Sequence, residues 1–196
     1  MKLITNTQIT VDGVMQANGG RNATLDPGFD RGGWALPVGD EESTAYIGDF
    51  YLRADAFLFG RRTYDLFAGY WGVRDDLDNP FVRALNERPK YVASTTLTDP
   101  TWNNTEVLQG DLIEAVTALK AREGKDILQY GYGSVTAQLV AAGLVDEVRF
   151  WIHPVFQGGD SLTAPLPEDR TSFELISTKV MKSGVIIASY RPRVAA

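Results

Sequence analysis

Two segments of this chain carry residue types that bind phosphate. The first is Leu58-Phe-Gly-Arg-Arg-Thr-Tyr-Asp-Leu-Phe67; the second, well downstream, is Tyr130-Gly-Tyr-Gly-Ser-Val-Thr136. Each reads as an apolar strand that enters a glycine turn and then a helix. Such a junction sets backbone N–H groups and a helix N-terminus at the strand's carboxyl end, where a phosphate can sit. The first adds Arg61, Arg62 and Thr63, two guanidinium groups able to grip phosphate bidentately and a hydroxyl donor. A Ser94-Thr95-Thr96 turn lies between the two junctions and supplies further donors. Together they point to a phosphorylated cofactor across the end of an α/β sheet. Taken singly, each has a structural alternative: the arginines would pair with surface carboxylates, and Ser94 and Thr95 would form a turn or cap.

The elements that must hold these residues follow from periodicity. Residues 2–10 alternate as a strand and end in the turn Val11-Asp12-Gly13. A long loop rich in Gly, Asp and Pro occupies 19–39. Helices are predicted over 40–53, 62–69, 80–87, 111–122 and 135–142, and strands over 56–59, 91–94, 106–108, 127–130 and 147–155. A closing antiparallel pair covers 172–181 and 184–191. Strands alternating with helices and then a hairpin give a mostly parallel sheet with an antiparallel edge. At 196 residues the chain is expected to be one domain, 1–196.

Composition narrows the partners. Net charge is −6 with no basic stripe, which argues against nucleic acid. The chain has no cysteine and one histidine, so thiolate catalysis is excluded and no metal site is expected. No apolar run approaches a membrane span or a signal peptide, so a cytoplasmic location away from membranes is expected. His153, ahead of Pro154, reads as a packed structural histidine. Arg88 reads as a helix-end arginine facing solvent. Trp34, Tyr64 and Trp71 read first as core, with the walling of a planar ligand as the alternative.

Several motifs together resemble a known family. Thr10-Val-Asp-Gly13, Gly60-Arg-Arg-Thr-Tyr64, Ala93-Ser-Thr-Thr96 and Gly143-Leu-Val-Asp-Glu-Val148 leading to His153-Pro-Val-Phe-Gln-Gly-Gly-Asp160 occur in one order. In that order and spacing the chain resembles the dihydrofolate reductase-like superfamily. The nearest branch is the C-terminal reductase domain of riboflavin biosynthesis proteins. The resemblance covers nearly the whole chain and implies a single-domain, three-layer α/β sandwich and an NADPH site. It would set Gln8, Ile9 and Met15 near the nicotinamide, and Gly60, Arg61, Arg62 and Thr63 beneath the phosphates. Ser94 and Thr95 would hold the 2′-phosphate, and Gly131, Tyr132, Gly133, Ser134 and Val135 would form the second cradle. Asp12, Trp34 and Tyr64 are the candidates for substrate contact.

Reduction of a C=N bond by hydride also needs a proton, which a shielded carboxyl can control. In folate reductases that acid follows a Trp-x-Leu-Pro segment. Here Trp34-Ala-Leu-Pro37 precedes Val38-Gly39-Asp40, one residue longer, which makes Asp40 the first catalytic candidate; an N-cap role for Asp40 is compatible with it. Two departures keep the substrate open. The second cradle's glycines are split by Tyr132, and Tyr130 stands where riboflavin-pathway reductases carry a glutamate. The resemblance therefore implies an NADPH-dependent reductase of a small planar heterocycle (pterin-, pyrimidine- or flavin-like), with a homodimer as the expected assembly. The alternatives are a nucleotide-binding homodimer that has lost the chemistry, and an interaction module working through the apolar segment 148–156.

Overall fold

The computed structural model describes residues 1–19, 30–158 and 170–193. Its strands are β1 (Lys2–Thr10), β2 (Ala56–Gly60), β3 (Lys90–Ala93), β4 (Thr105–Val107), β5 (Asp126–Tyr130), β6 (Glu147–His153), β7 (Ser172–Val180) and β8 (Ile186–Arg193). Between them run α1 (Glu41–Arg53), α2 (Arg61–Tyr70), α3 (Pro80–Glu87), α4 (Leu112–Lys120) and α5 (Ser134–Ala141). A short 3-10 turn, Leu36–Val38, precedes α1.

These strands form one sheet in the order β4-β3-β2-β5-β1-β6-β8-β7. The six strands from β4 to β6 are parallel, and β8 joins β6 antiparallel, as β7 joins β8. Strand β2 explains the layering. Its run Ala-Phe-Leu-Phe is buried on both faces, as expected of a parallel strand covered by helices on each side. Ala56 and Leu58 pack with Val116 and Leu119 of α4 and Leu139 and Val140 of α5. Phe57 and Phe59 face the other way, among Tyr51, Tyr64, Leu85 and Trp102. The result is a three-layer α/β sandwich with an antiparallel edge.

Two expectations change in detail. The sixth strand stops at His153 rather than 155, because Pro154 has no N–H to continue the ladder. It also lies inside the sheet between β1 and β8, so segment 148–156 is not an edge. The edges are β4 and β7, and the nine residues of β7 are exposed along almost their whole length. Of the expected long loop 19–39, residues 20–29 lie outside the described residues, as do Gly159 and Asp160.

Arg88 does not face solvent. Its guanidinium donates to the carbonyls of Tyr51, Leu52 and Ala54 and so closes the C-terminus of α1.

Candidate functional site

The chain runs up β1, crosses to β2, β3 and β4 on one side, and returns to insert β5 between β2 and β1 before reaching β6. At such a reversal the connections leave the sheet in opposite directions, and a crevice opens at the strands' carboxyl ends. That crevice is a cleft of about 1470 Å³. It has two unlike halves.

One half is made of backbone and cations. Helix α2 starts immediately after Gly60 and α5 immediately after Gly133, and neither has a side chain capping its first turn. The other three α-helices are capped by side chains: Asp40 on α1, Asn79 on α3 and Asp111 on α4. Among the α-helices, the unpaired N–H groups that every helix carries at its start are therefore left without a side-chain cap only at α2 and α5, and the first residues of both, Arg61 and Ser134, line the cleft. The two starts abut. A Cβ at Gly60 would lie 3.5 Å from Val135 Cγ2, and one at Gly131 would lie 3.3 Å from Thr63 Oγ1. Gly131 also sits at φ +87°, where a side chain is disfavoured.

Beside them, Arg61 holds Asp65 at 2.9 Å and reaches Thr96 Oγ1 at 3.4 Å, linking α2 to the turn after β3. In that turn Ser94 Oγ accepts the N–H groups of Thr96 and Leu97. Arg61, Arg62, Ser94 and Thr95 all line the cleft. Two helix dipoles and two guanidinium groups thus converge on one region, an arrangement suited to several phosphate charges.

The other half is aromatic. Tyr130, the last residue of β5, stacks near Phe67 (4.9 Å between centroids) and Tyr51 (6.3 Å). Its hydroxyl accepts from Gln8 Nε2 and Asn18 Nδ2, each at 3.1 Å. Burial raises the pKa of both Tyr51 and Tyr130. Trp71 and Phe81 meet edge to face, and Trp151 is fixed by donating from Nε1 to Asn6 Oδ1 at 2.8 Å. His153 also lines this half; burial pushes its pKa down to about 4, and neither ring nitrogen finds a partner among the described residues.

Most of the sequence candidates come together here. Gln8, Met15, Gly60, Arg61, Arg62, Thr63, Ser94, Thr95, Gly131, Tyr132, Gly133, Ser134 and Val135 all line the cleft. Ile9, Asp12, Trp34, Asp40 and Tyr64 are not among the described lining residues, for reasons visible in their contacts. Asp12 accepts from the Thr10 hydroxyl and from the N–H groups of Gln157 and Gly158, which tie down the turn after β1 and lower its carboxyl to about 2. Trp34 is buried, donates to the Gln16 carbonyl and meets His153 edge-on at 5.3 Å. Tyr64 lies in the core, its hydroxyl accepting from Trp102 N. Asp40 caps α1 through Ser43 N at 2.7 Å, and the bonds from Ser43 hold its carboxyl below the usual range. Asn18, Tyr51 and Trp151 were not singled out by the sequence. Tyr130 was noted there only as the residue before a cradle glycine, at the position of a family glutamate, and not as a candidate for ligand contact.

The comparisons agree with this architecture. The chain is 29% identical over 191 residues to the uncharacterized protein YyaP of Bacillus subtilis strain 168, covering 96% of this chain and 94% of that one. A solved structure from Shewanella sp. PV-4, provisionally assigned to riboflavin biosynthesis, superposes with a TM-score of 0.68 at 20% identity, over 99% of this chain and 100% of that one. Dihydrofolate reductase from Enterococcus faecalis, complexed with NADP(H) and RAB-propyl, superposes with a TM-score of 0.61 at 15% identity, over 98% and 97% of the two chains. At those identities the structures speak to fold alone, a dihydrofolate reductase-like one. The model of the RibD C-terminal domain matches residues 1–187, and the chain belongs to that family.

Proposed function

We propose that this protein is a cytoplasmic, NADPH-dependent reductase that delivers hydride to a small planar heterocycle or related conjugated compound. The observation that carries the reading is the pair of abutting helix starts left open at the cleft while the other α-helices are capped. NADP(H) in the Enterococcus faecalis relative supports the choice of cofactor.

The residues fit that group. The first-turn N–H groups of α2 and α5 would take the diphosphate, with Gly131 allowing close backbone approach. Arg61, Arg62, Ser94 and Thr95 would take the 2′-phosphate, Arg61 exchanging its Asp65 partner for it. Gln8 and Met15 line the cleft, and the nicotinamide would lie beside them. When bound, NADPH supplies the hydride; the chain's part is to orient the two rings, exclude water and hold a proton. The aromatic rings exclude water, and the Tyr130 hydroxyl holds a proton inside the cleft. Asp40, engaged at the start of α1, would act on a proton only from outside the lining.

Homodimerisation along β7 belongs to the same proposal. An exposed nine-residue edge strand carrying Phe173, Leu175 and Ile176 is a template for pairing with a second copy. Light scattering should give twice the chain mass, and Leu175→Glu should halve it.

The reading is tested by titrating the protein with NADPH and NADH and following tryptophan fluorescence. Saturation by NADPH at micromolar concentration, with NADH clearly weaker, is expected. No binding of either would overturn it.

A further inference from the structure

We infer that the aromatic half of the cleft recognises a carbonyl oxygen on a neutral planar compound, through a hydrogen bond donated by the Tyr130 hydroxyl. The inference rests on the cleft being the reductase site proposed above and narrows what that site accepts.

A phenol oxygen has two acceptor positions and one O–H donor. At Tyr130 the amide N–H groups of Gln8 and Asn18 take the acceptor positions, both at 3.1 Å. What the hydroxyl has left to offer is its own hydrogen. The ring is wedged beside Phe67 and Tyr51, so the position of the hydroxyl oxygen is fixed by packing. A half-buried donor without an acceptor is unfavourable, so a ligand that supplies the acceptor is preferred over one that does not.

Charge points the same way. Among the described lining residues the sole carboxylate is Asp65, and it pairs with Arg61 at the phosphate end. The aromatic half therefore has no counter-charge for a protonated amidine, the group that a 2-aminopyrimidine or 2,4-diaminopteridine presents when it binds as a cation. Tyr51, Tyr130 and His153 stay uncharged at neutral pH, since burial raises the two tyrosines and holds His153 at about 4, and the charged group on this side is the Arg74 cation, paired with Asp76 over the Trp71 ring. An aromatic slot without a carboxylate and with an O–H to donate suits a quinone, an enone or the dione edge of a flavin-type ring.

A matched ligand pair decides the matter. Lumazine, which is pteridine-2,4-dione, and 2,4-diaminopteridine share a ring system and differ in carbonyl against amino groups. With the NADPH-loaded protein, lumazine should bind at least about tenfold more tightly than the diamine. Tyr130→Phe should remove that preference. A diamine that binds as well as lumazine, or a preference that survives in Tyr130→Phe, would overturn the inference. If NADPH does not bind, the functional reading fails on its own, and the same comparison on the free protein still decides the role of Tyr130. The wild-type comparison stands even if the variant folds poorly.

Discussion

The two halves of the cleft are built in opposite ways. The phosphate half is mostly main chain, formed where two strands turn through glycine into helices, and its charges are exposed. The aromatic half is almost entirely side chain, half-buried to buried, and lined by no carboxylate among the described residues. The first kind of surface recognises a group common to many molecules and depends on where backbone N–H groups point. The second recognises one molecule and depends on which side chains meet. A fold can keep the first while changing the second.

The contrast can be broken most severely at Gly131. Valine there would meet Thr63 Oγ1 and be forced into a positive φ that β-branched residues avoid. Gly131→Val should weaken NADPH binding by about a hundredfold or more. Calorimetric titration checks this, with circular dichroism to confirm folding; an unchanged affinity would detach the second cradle from the cofactor.

The uncharged state of His153 in the other half is tested by pH. His153 titrates at about 4 in the fold against an ordinary value of 6.5. Between those values the unfolded chain takes up a proton that the folded chain does not. Stability from this group is therefore complete above pH 6.5 and falls as the pH drops toward 4, by about 3 kcal/mol over the window. His153→Leu should flatten that part of the stability profile in urea titrations. An identical slope in wild type and variant would mean that His153 is charged or solvated in the fold.

The smallest effect is expected at Asp40. Asparagine is also a good N-cap, so Asp40→Asn should leave stability and cofactor affinity almost unchanged, while Asp40→Ala should lower the thermal midpoint slightly. A large loss of turnover in Asp40→Asn, with binding intact, would return the proton to that carboxylate.

How much of this was legible in the sequence follows from the same contrast. The phosphate half was, because each cradle is contiguous: strand, glycine and helix start appear in a row, and Gly60 and Gly133 stand one residue before their helices. The parallel order of the sheet followed from alternation, and the helix starting near Asp40 was found because its cap and first acidic turn are local. The aromatic half was not legible. It draws Gln8 from β1, Asn18 from a turn, Tyr51 from α1, Tyr130 from β5 and Trp151 from β6, and no spacing links them. Trp34 and Tyr64 have the right chemistry for a ligand wall but point into packing, a distinction set by tertiary contacts. Arg88 could not be assigned because its acceptors are three carbonyls far away in sequence.

The central claim is that the cleft's glycine-and-arginine half holds a dinucleotide bearing a 2′-phosphate. Calorimetric titration of wild type and of Arg61→Ala/Arg62→Ala with both NADPH and NADH tests it most directly. The account predicts that the double variant loses about tenfold or more in affinity for NADPH and almost nothing for NADH. Equal losses for the two dinucleotides, or none for either, would contradict it.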